Sequence, residues 1–290
     1  MPYDVVLIVY NPHSTGGAEH RARDLATELA DRAPDLEVTL APTEYPGHAT
    51  EIAREAAGGR PTLVVSVSGD GGYNEVVSGA MSGAEHGGVT VAVLPAGNAN
   101  DHRRATRHRP LAQAIVDGAA EPMDLLRVDI AGEPVRWAHS YIGLGITPVV
   151  ALELEKGRKG SLSEIVTTMR EFAKFRPFEV TLESGERQRF DSLVLANIAG
   201  MAKYAKLSDD GDPTDGLFEV AIMPHSGRLR LLARAIGAAT RGLGRQPRST
   251  RFTFTTTSPM PVQLDGEVLE LGAERKVIVE IAPRAVVVVR

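Results

Sequence analysis

Up to Asp124, runs of aliphatic and β-branched residues alternate with segments whose apolar positions recur at helical spacing. The runs predict strands at Tyr3–Val9, Leu36–Leu40, Thr62–Val67 and Val89–Leu94. The helical spacing predicts helices at Ala18–Arg32, His48–Ala57 and Tyr73–Met81. Such alternation is typical of a parallel sheet with helices on both faces, so we expect a doubly wound α/β domain over residues 1–125. Ligands of these sheets bind at the loops after the strands, which here begin at Asn11, Ala41, Ser68 and Pro95.

After Asp124 the pattern changes to short strands separated by turn signals, which predicts a mainly-β, sandwich-like domain over residues 126–290. Two segments with helical periodicity, Ser161–Phe175 and Leu229–Arg241, interrupt it. The predicted strands are Leu126–Ile130, Val135–Ile142, Phe178–Leu182, Arg189–Ile198, Leu217–Met223, Arg251–Thr257, Val262–Leu264 and Lys276–Ile281.

Composition narrows the chemistry that is available to the chain. Its 290 residues include no Cys, which excludes disulfides, Cys-ligated metals and a thiol nucleophile. No apolar run is long enough for a membrane-spanning helix and the N-terminal run lacks basic residues, so we expect a cytoplasmic protein. The net charge of −5 argues weakly against a nucleic-acid partner.

That net charge averages two unlike regions. The stretch from Pro224 to Gln263 contains seven arginines and no acidic residue. Arginines with apolar residues between them are typical of a surface that docks peripherally on anionic lipid. A solvated helix and loop explains the same pattern equally well. The arginines are Arg228, Arg230, Arg234, Arg241, Arg245, Arg248 and Arg251.

A glycine-rich loop follows the strand at Thr62–Val67 and opens the next helix. Its glycines permit a close approach of the backbone to a ligand, and the N–H groups of the helix start favour phosphate. An aspartate in such a loop suits a divalent cation or a reacting hydroxyl beside the phosphate. A turn with an Asp N-cap is the alternative. The loop reads Ser68, Gly69, Asp70, Gly71, Gly72, Tyr73 and Asn74.

Three further segments carry candidate chemistry. After the strand at Val89–Leu94, Gly97 with the amides of Asn98 and Asn100 suits a nucleotide, or a capped helix start. Asp265-Gly266-Glu267 is by itself a common hairpin turn. The segment 209–215 has four carboxylates, which suit a hard cation or a solvated turn.

Taken in order along the chain, these motifs resemble the diacylglycerol kinase catalytic-domain family, which includes bacterial lipid kinases and sphingosine kinases. The resemblance covers essentially the whole chain. Its segments are Asn11-Pro12, Thr43–Ala49, Ser68–Glu75, Pro95–Asp101, Met123-Asp124, Gly143–Gly145, Asn197–Gly200, Pro213–Leu217 and Pro259–Glu267.

The resemblance implies a kinase that uses ATP and Mg²⁺ to phosphorylate a lipid hydroxyl, with the nucleotide between the two domains. Glu267 matches the general base, and Asp70 would meet the magnesium that accompanies ATP, in front of Asp101 and Asp124. Asp212, Asp215 and the carbonyl of Leu217 match a second, structural magnesium site. A homodimer is also implied. The nucleotide contacts would come from Asn11, Thr43, the loop Ser68–Asn74, Gly97 and Asn98.

The chain departs from the family at two positions that usually hold threonine, where it has Gly72 and Asn98. Each change removes a hydroxyl expected to face the phosphates, and a hydrogen bond to a charged group contributes about 1.5–3 kcal/mol. Two alternatives to a lipid kinase therefore stay open. One is a non-catalytic protein that binds nucleotide or lipid, and the other is an NAD kinase, since NAD kinases share a similar Gly-Asp-Gly loop and Asn-Glu pair.

Overall fold

The computed structural model describes residues 2–14, 16–83, 88–97, 100–106, 109–145, 177–201, 205–226 and 242–290. The chain divides into two units. Unit 1 comprises Met1–Leu125 and Ala282–Arg290, and unit 2 comprises Leu126–Ile281. The helices predicted at Ser161–Phe175 and Leu229–Arg241 lie outside the described residues.

Unit 1 contains the predicted parallel sheet. Its strands are β1 (Val5–Tyr10), β2 (Glu37–Pro42), β3 (Thr62–Ser68) and β4 (Thr90–Pro95). Its helices are α1 (Ala18–Arg32), α2 (His48–Ala56), α3 (Asp70–Ser82), α4 (Asp101–Thr106) and α5 (Leu111–Val116). The strands lie in the order β4-β3-β1-β2, all parallel, so the chain leaves the central β1 on one side for β2 and returns on the other side for β3.

Helices cover both faces of this sheet because successive strand residues point to opposite sides. Val6 and Ile8 of β1 belong to a core cluster with Leu25 and Leu29 of α1, and α5 packs into the same cluster. Helices α2 and α3 pack on the strands as well and chiefly on each other. A Cβ at Gly79 of α3 would overlap the carbonyl oxygen of Thr50, so glycine lets the two helices touch through their backbones. This contact holds α3, and with it the loop that opens the helix.

Unit 2 consists mainly of strands. Those that lie wholly or partly in it are β5 (Ala120–Ile130), β6 (Arg136–Ala138), β7 (Tyr141–Gly145), β8 (Phe178–Leu182), β9 (Arg187–Ala196), β10 (Gly200–Met201), β11 (Ala205–Lys206), β12 (Phe218–Pro224), β13 (Arg248–Ser249), β14 (Arg251–Thr256), β15 (Met260–Leu264), β16 (Glu267–Leu271) and β17 (Lys276–Val289).

The strands of unit 2 pair antiparallel. They follow one hydrogen-bonded path in the order β16-β15-β7-β9-β8-β14-β17, with β12 added to β9. The predicted sandwich would have two separate sheets, whereas the described strands of unit 2, apart from the short β10–β11 pair, belong to one sheet.

Two elements differ from the sequence-based expectation for physical reasons. The strand predicted at Val135–Ile142 is divided into β6 and β7, because the backbone N–H groups of His139 and Ser140 bond to the carboxylate of Asp265. Strand β17 continues beyond Ile281, and its residues Val287 and Val288 pair in parallel with β4. Residues 282–290, which the sequence-based division assigned to the second domain, therefore belong to unit 1.

Glu219 of β12 is a carboxyl buried in unit 2, with 2% of its surface exposed. The pKa of Glu219 is raised from 4.5 to about 7, chiefly by burial. Nearby Asp215 acts in the same direction, while a backbone hydrogen bond and Arg248 oppose the shift. Because the folded pKa lies above the unfolded one, the folded state holds this proton more tightly. The contribution of Glu219 to the stability of the folded state is therefore complete below about pH 4.5 and is lost as the pH rises through about 7.

We therefore expect Glu219→Gln to be more stable than wild type at pH 8, by at most about 3 kcal/mol, and to lose this advantage at pH 5. The free energy of unfolding from urea titrations in EDTA-containing buffer measures the difference. Glu183→Gln, at an exposed turn, is the control and should track wild type at both pH values. An identical pH dependence for Glu219→Gln and wild type would contradict the assignment.

Candidate active site

Four strand-to-helix loops meet at the carboxyl edge of the unit 1 sheet. The register pairs Tyr10 with both Pro42 and Val67, and Ser68 with Pro95, so the strands end level with one another. The N–H of Thr43, just after β2, donates to the carbonyl of Tyr10 over 2.8 Å. This edge includes the point where the chain direction reverses between β1 and β3, which is where open α/β sheets bind ligands.

A cavity of about 860 Å³ opens at this edge. Its volume lies within the range of small-molecule sites, and the start of α3 contributes the backbone of Gly69 and Gly72 to its wall. Helix N-termini present free N–H groups to anions. The polar side chains that line the cavity are those of Asn11, His13, Ser14, Arg21, Thr43, Glu44, Tyr45, Ser66, Ser68 and Glu75.

The predicted nucleotide residues divide into two groups around this cavity. Six line it: Asn11, Thr43, Ser68, Gly69, Gly72 and Gly97. Asp70, Gly71, Tyr73 and Asn74 form the first turn of α3 behind the lining. Tyr73 is fully buried, and its ring centroid lies 4.8 Å from that of His102. Asn98 lies outside the described residues.

The walls of the cavity are held together through backbone contacts between three loops. A Cβ at Gly97 would lie 2.5 Å from the Cα of Gly69, and one at Gly16 would overlap the carbonyl oxygen of Ala96. The N–H of Ala96 donates to the carbonyl of Ser68 over 2.9 Å. Glycine is therefore required at these contacts by space rather than by chain flexibility.

Asp70 links two of these loops. Its Oδ2 accepts the N–H of Asp101 over 3.1 Å and its Oδ1 accepts the N–H of His102 over 3.2 Å. The carboxylate thus caps α4, since it satisfies two N–H groups that have no partner within that helix. Asn100 closes the same loop, because its amide accepts from the N–H of Gly97 and donates to the carbonyl of Gly97. Asn100, expected from the sequence to face a nucleotide, instead uses its amide inside the loop.

The other two carboxylates of unit 1 that were predicted to lie behind the magnesium are buried, and one of them accepts a backbone N–H. Asp101 is 4% and Asp124 0% exposed, and Oδ1 of Asp124 accepts the N–H of Arg284 over 2.7 Å. Carboxylate oxygens are suitable ligands for Mg²⁺. Within the described residues, however, no three His, Cys, Asp or Glu side chains are grouped closely enough to hold a metal ion.

In unit 2, Asp265 and Glu267 belong to the tight hairpin between β15 and β16. Leu264 pairs with Glu267, and both turn residues have positive φ, 45° at Asp265 and 96° at Gly266. The buried carboxylate of Asp265 accepts three backbone N–H groups, from His139, Ser140 and Tyr141, at 2.5–3.0 Å. Glu267 is exposed on a turn that Asp265 holds rigidly.

The acidic segment 209–215 makes contacts of its own. Asp215 accepts the N–H of Leu217 and pairs with Arg248 at 2.9 Å, while Oδ1 of Asp212 accepts both the N–H and the hydroxyl of Thr214. Each of these two carboxylates therefore has a protein donor as a partner.

The basic stretch is only partly described. Arg245 pairs with Asp210 at 3.1 Å and Arg251 pairs with Glu280 at 2.8 Å. Arg228, Arg230, Arg234 and Arg241 lie outside the described residues. Of the helices that the structure describes, none is both long and apolar enough to cross a bilayer.

Comparisons with known proteins agree with this arrangement of motifs. Residues 5–128, which include the cavity, match the diacylglycerol kinase catalytic domain. Through these residues the chain is similar to the diacylglycerol kinase catalytic-domain family. It is 28% identical to a diacylglycerol kinase of Bacillus subtilis, over 90% of this chain and 88% of the relative. A Pseudomonas aeruginosa protein named "Probable lipid kinase YegS-like" is 29% identical, over 98% of this chain and 94% of the relative.

A solved diacylglycerol kinase from Bacillus anthracis has the same fold as this chain. The TM-score is 0.74, with 100% of this chain and 97% of that chain covered, at 18% sequence identity. The family resemblance stated from the motifs is therefore confirmed, and the solved structure supports the mixed α/β, sheet-rich fold.

The sequence did not single out two residues that line the cavity, Arg21 and Ser66. Glu75, which also lines it, belongs to the Ser68–Glu75 motif but was not predicted to contact the nucleotide. Arg21 lies in α1, and its Nη1 donates to the carbonyl of Pro95 over 3.1 Å. Ser66 lies inside β3, two residues before Ser68 and therefore on the same face of the strand. That spacing was a usable signal for Ser66, whereas the position of Arg21 depends on how α1 packs.

The contact between Gly69 and Gly97 predicts the effect of one methyl group. Gly97→Ala should reduce the free energy of unfolding of unit 1 by about 1–3 kcal/mol, because a Cβ has no room against the Gly69 backbone. Urea denaturation measures the change. Gly58→Ala is the control, since a Cβ there meets its nearest atom at 3.9 Å. Equal stability of the two variants would argue against the backbone contact.

The three bonds to Asp265 predict a graded pair of variants. Asp265→Ala removes every acceptor and should reduce the free energy of unfolding by about 3 kcal/mol or more, since buried N–H groups lose their partners. Asp265→Asn keeps one carbonyl oxygen and tolerates the positive φ, so its loss should be smaller. Thermal and urea unfolding of wild type, Asp265→Ala and Asp265→Asn measures the difference. Equal losses of stability in the two variants would disprove the anchoring role.

Proposed function

We propose that this protein is a lipid kinase that transfers the γ-phosphate of ATP to the hydroxyl group of a diacylglycerol-like or sphingoid-base-like lipid. The observation that carries the proposal is the cavity at the strand ends, which is lined by the start of α3 and lies within residues 5–128, the part that matches the catalytic domain. The names of the relatives support phosphorylation of a lipid.

The cavity suits the phosphates of a nucleotide. Gly69 and Gly72 bring the backbone of the α3 start to its surface, and Arg21 of α1 contributes a cation to the lining. Phosphoryl transfer depends mainly on positioning and on neutralising the charge of the phosphates. Magnesium would supply further neutralisation when bound with ATP, and Asp70, Asp101 and Asp124 are the carboxylates of unit 1 proposed to serve it. The carboxylates of Asp212 and Asp215 and the carbonyl of Leu217 are proposed as a second, structural magnesium site. Carboxylate and carbonyl oxygens suit this cation, and a carboxylate that accepts a hydrogen bond keeps further lone pairs for a metal.

Glu267 is the proposed general base. A base must come within hydrogen-bond reach of the attacking hydroxyl, and an exposed carboxylate on a rigid turn is accessible to a substrate. The base would accept the proton of the lipid hydroxyl as that oxygen attacks the γ-phosphorus, while the bond from the γ-phosphorus to the β,γ-bridging oxygen breaks and ADP leaves. Asp265 would act as a positioning residue, since its three bonds to the backbone of residues 139–141 hold the turn.

Contact with an anionic membrane through the basic stretch and formation of a homodimer are further proposals. A lipid kinase must meet a substrate that resides in membranes, and arginine side chains attract anionic headgroups. Arg245 would contribute less to such attraction than its exposure suggests, because it pairs with Asp210.

A phosphorylation screen tests the proposed function directly. Purified protein, γ-labelled ATP and Mg²⁺ are incubated with total lipid extract, with purified diacylglycerol and sphingosine, and with NAD. We expect label only in lipid. Label in NAD would favour an NAD kinase, and ATP binding by calorimetry without transfer to any acceptor would favour the non-catalytic alternative.

Glu267→Gln tests the base. The variant should lower kcat by about 100- to 10,000-fold with little change in thermal stability, because the amide cannot accept the proton. Glu270→Gln is a matched control, since it makes the same substitution at an exposed position of the same strand. Steady-state assays on the labelled lipid compare the two. Full activity of Glu267→Gln would remove this residue from the mechanism.

A further inference from the structure

Two serine hydroxyls of β3 lie side by side in the wall of the cavity. Ser66 is 2% exposed, Ser68 is partly exposed, and both line the cavity. Their Oγ atoms are 2.7 Å apart. The pair stands where β3 ends and α3 begins, beside the N–H groups of the helix start.

The hydrogen bonds determine which hydroxyl is available to a ligand. Ser68 Oγ donates to the carbonyl of Gly69 over 2.9 Å, so its single proton is used there and Ser66 must be the donor in the serine pair. The carbonyl of Gly69 also accepts the N–H of Tyr73 over 3.1 Å. It therefore keeps a partner if Ser68 turns its proton elsewhere. Ser68 can donate to an anion in the cavity without leaving a buried acceptor unsatisfied.

The absence of a side chain at Gly72 is tied to Ser68. A Cβ at Gly72 would lie 2.7 Å from the Cβ and 2.8 Å from the Oγ of Ser68. Any other residue at position 72 would thus displace the Ser68 side chain. The two positions share one space, and in this chain Ser68 fills it.

We propose that Ser68 is the side-chain hydroxyl that binds a phosphate of the nucleotide, oriented by the hydrogen bond from Ser66, and that Gly72 keeps the space which Ser68 needs. This inference rests on the proposed function for the identity of the ligand, and its steric part stands without it. It also explains how a loop with glycine at position 72 retains a hydroxyl for phosphate.

The steric part is tested by unfolding without ligand. Gly72→Ala should lower Tm, and it should do so equally in a Ser68→Ala background, where the Cβ clash remains. In a Ser68→Gly background the same Gly72→Ala change should cost nothing, because no Cβ is present at position 68. Additive effects in all three backgrounds would overturn the shared-space argument.

The binding part is tested by calorimetry with ATP and with adenosine. Ser68→Ala should weaken ATP binding roughly 10- to 100-fold, the effect of losing a hydrogen bond to a charged group, and leave adenosine binding unchanged. Ser66→Ala should weaken ATP binding by a smaller factor, since it removes only the orienting bond. The control is Ser82→Ala, at an exposed position near the end of α3 where the hydroxyl bonds only to the helix backbone.

One double variant is the sharpest test. Ser68→Gly with Gly72→Thr places a hydroxyl in the shared space from the other side, and it should bind ATP more tightly than Ser68→Gly alone. ATP affinity of Ser68→Ala equal to that of Ser82→Ala would overturn the role of Ser68 while leaving the proposed function intact. Failure of wild type to bind ATP would overturn both, and the Tm series would still decide the steric part.

Discussion

Three loops at the carboxyl edge of the parallel sheet touch through their backbones, and the cavity of unit 1 depends on that contact. Gly16 lies against the carbonyl of Ala96, and Gly69 lies against Gly97, with no space for a Cβ at either place. Protein interiors transmit small changes in volume because they are close-packed. These three glycines therefore do more than permit turns, since they let the loop backbones come close enough for the cavity walls to meet.

Once the loops are in contact, individual side chains take roles that follow from their surroundings. Asp70 starts α3 but satisfies N–H groups at the start of α4, so one carboxylate holds two helix starts together. The amide of Asn100 accepts from the N–H of Gly97 and donates to its carbonyl, and it thereby closes its own loop. Ser68 keeps a hydroxyl at the cavity whose present acceptor, the carbonyl of Gly69, has a second donor. The hydrogen bonds thus show which side chains bind within the protein and which side chain can turn to a ligand.

In unit 2 the two carboxylates of the Asp-Gly-Glu motif likewise differ in their surroundings. Asp265 is fully buried and bonds to three backbone N–H groups, whereas Glu267, two residues on, is exposed. A buried carboxylate is tolerated only when its oxygens are satisfied. Here the two residues between β6 and β7 and the first residue of β7 satisfy them. The cations of the basic stretch that the structure describes pair with carboxylates, Arg245 with Asp210, Arg248 with Asp215 and Arg251 with Glu280. For these three described arginines, the charge counted from the sequence therefore overstates the unpaired positive charge.

The sequence by itself determined strands β1–β4 and helices α1–α3 of unit 1, because their apolar periodicity is local and α1 begins and ends where the spacing predicted. It did not predict the short helices α4 and α5. It also determined which loops carry the candidate site, since parallel strands end at one edge. Only the tertiary structure decided that residues 282–290 join the first sheet and that Val135–Ile142 is divided, because both depend on partners more than 100 residues away. The same holds for the space shared by Ser68 and Gly72, which no spacing in the sequence reveals, since it arises from how β3 turns into α3.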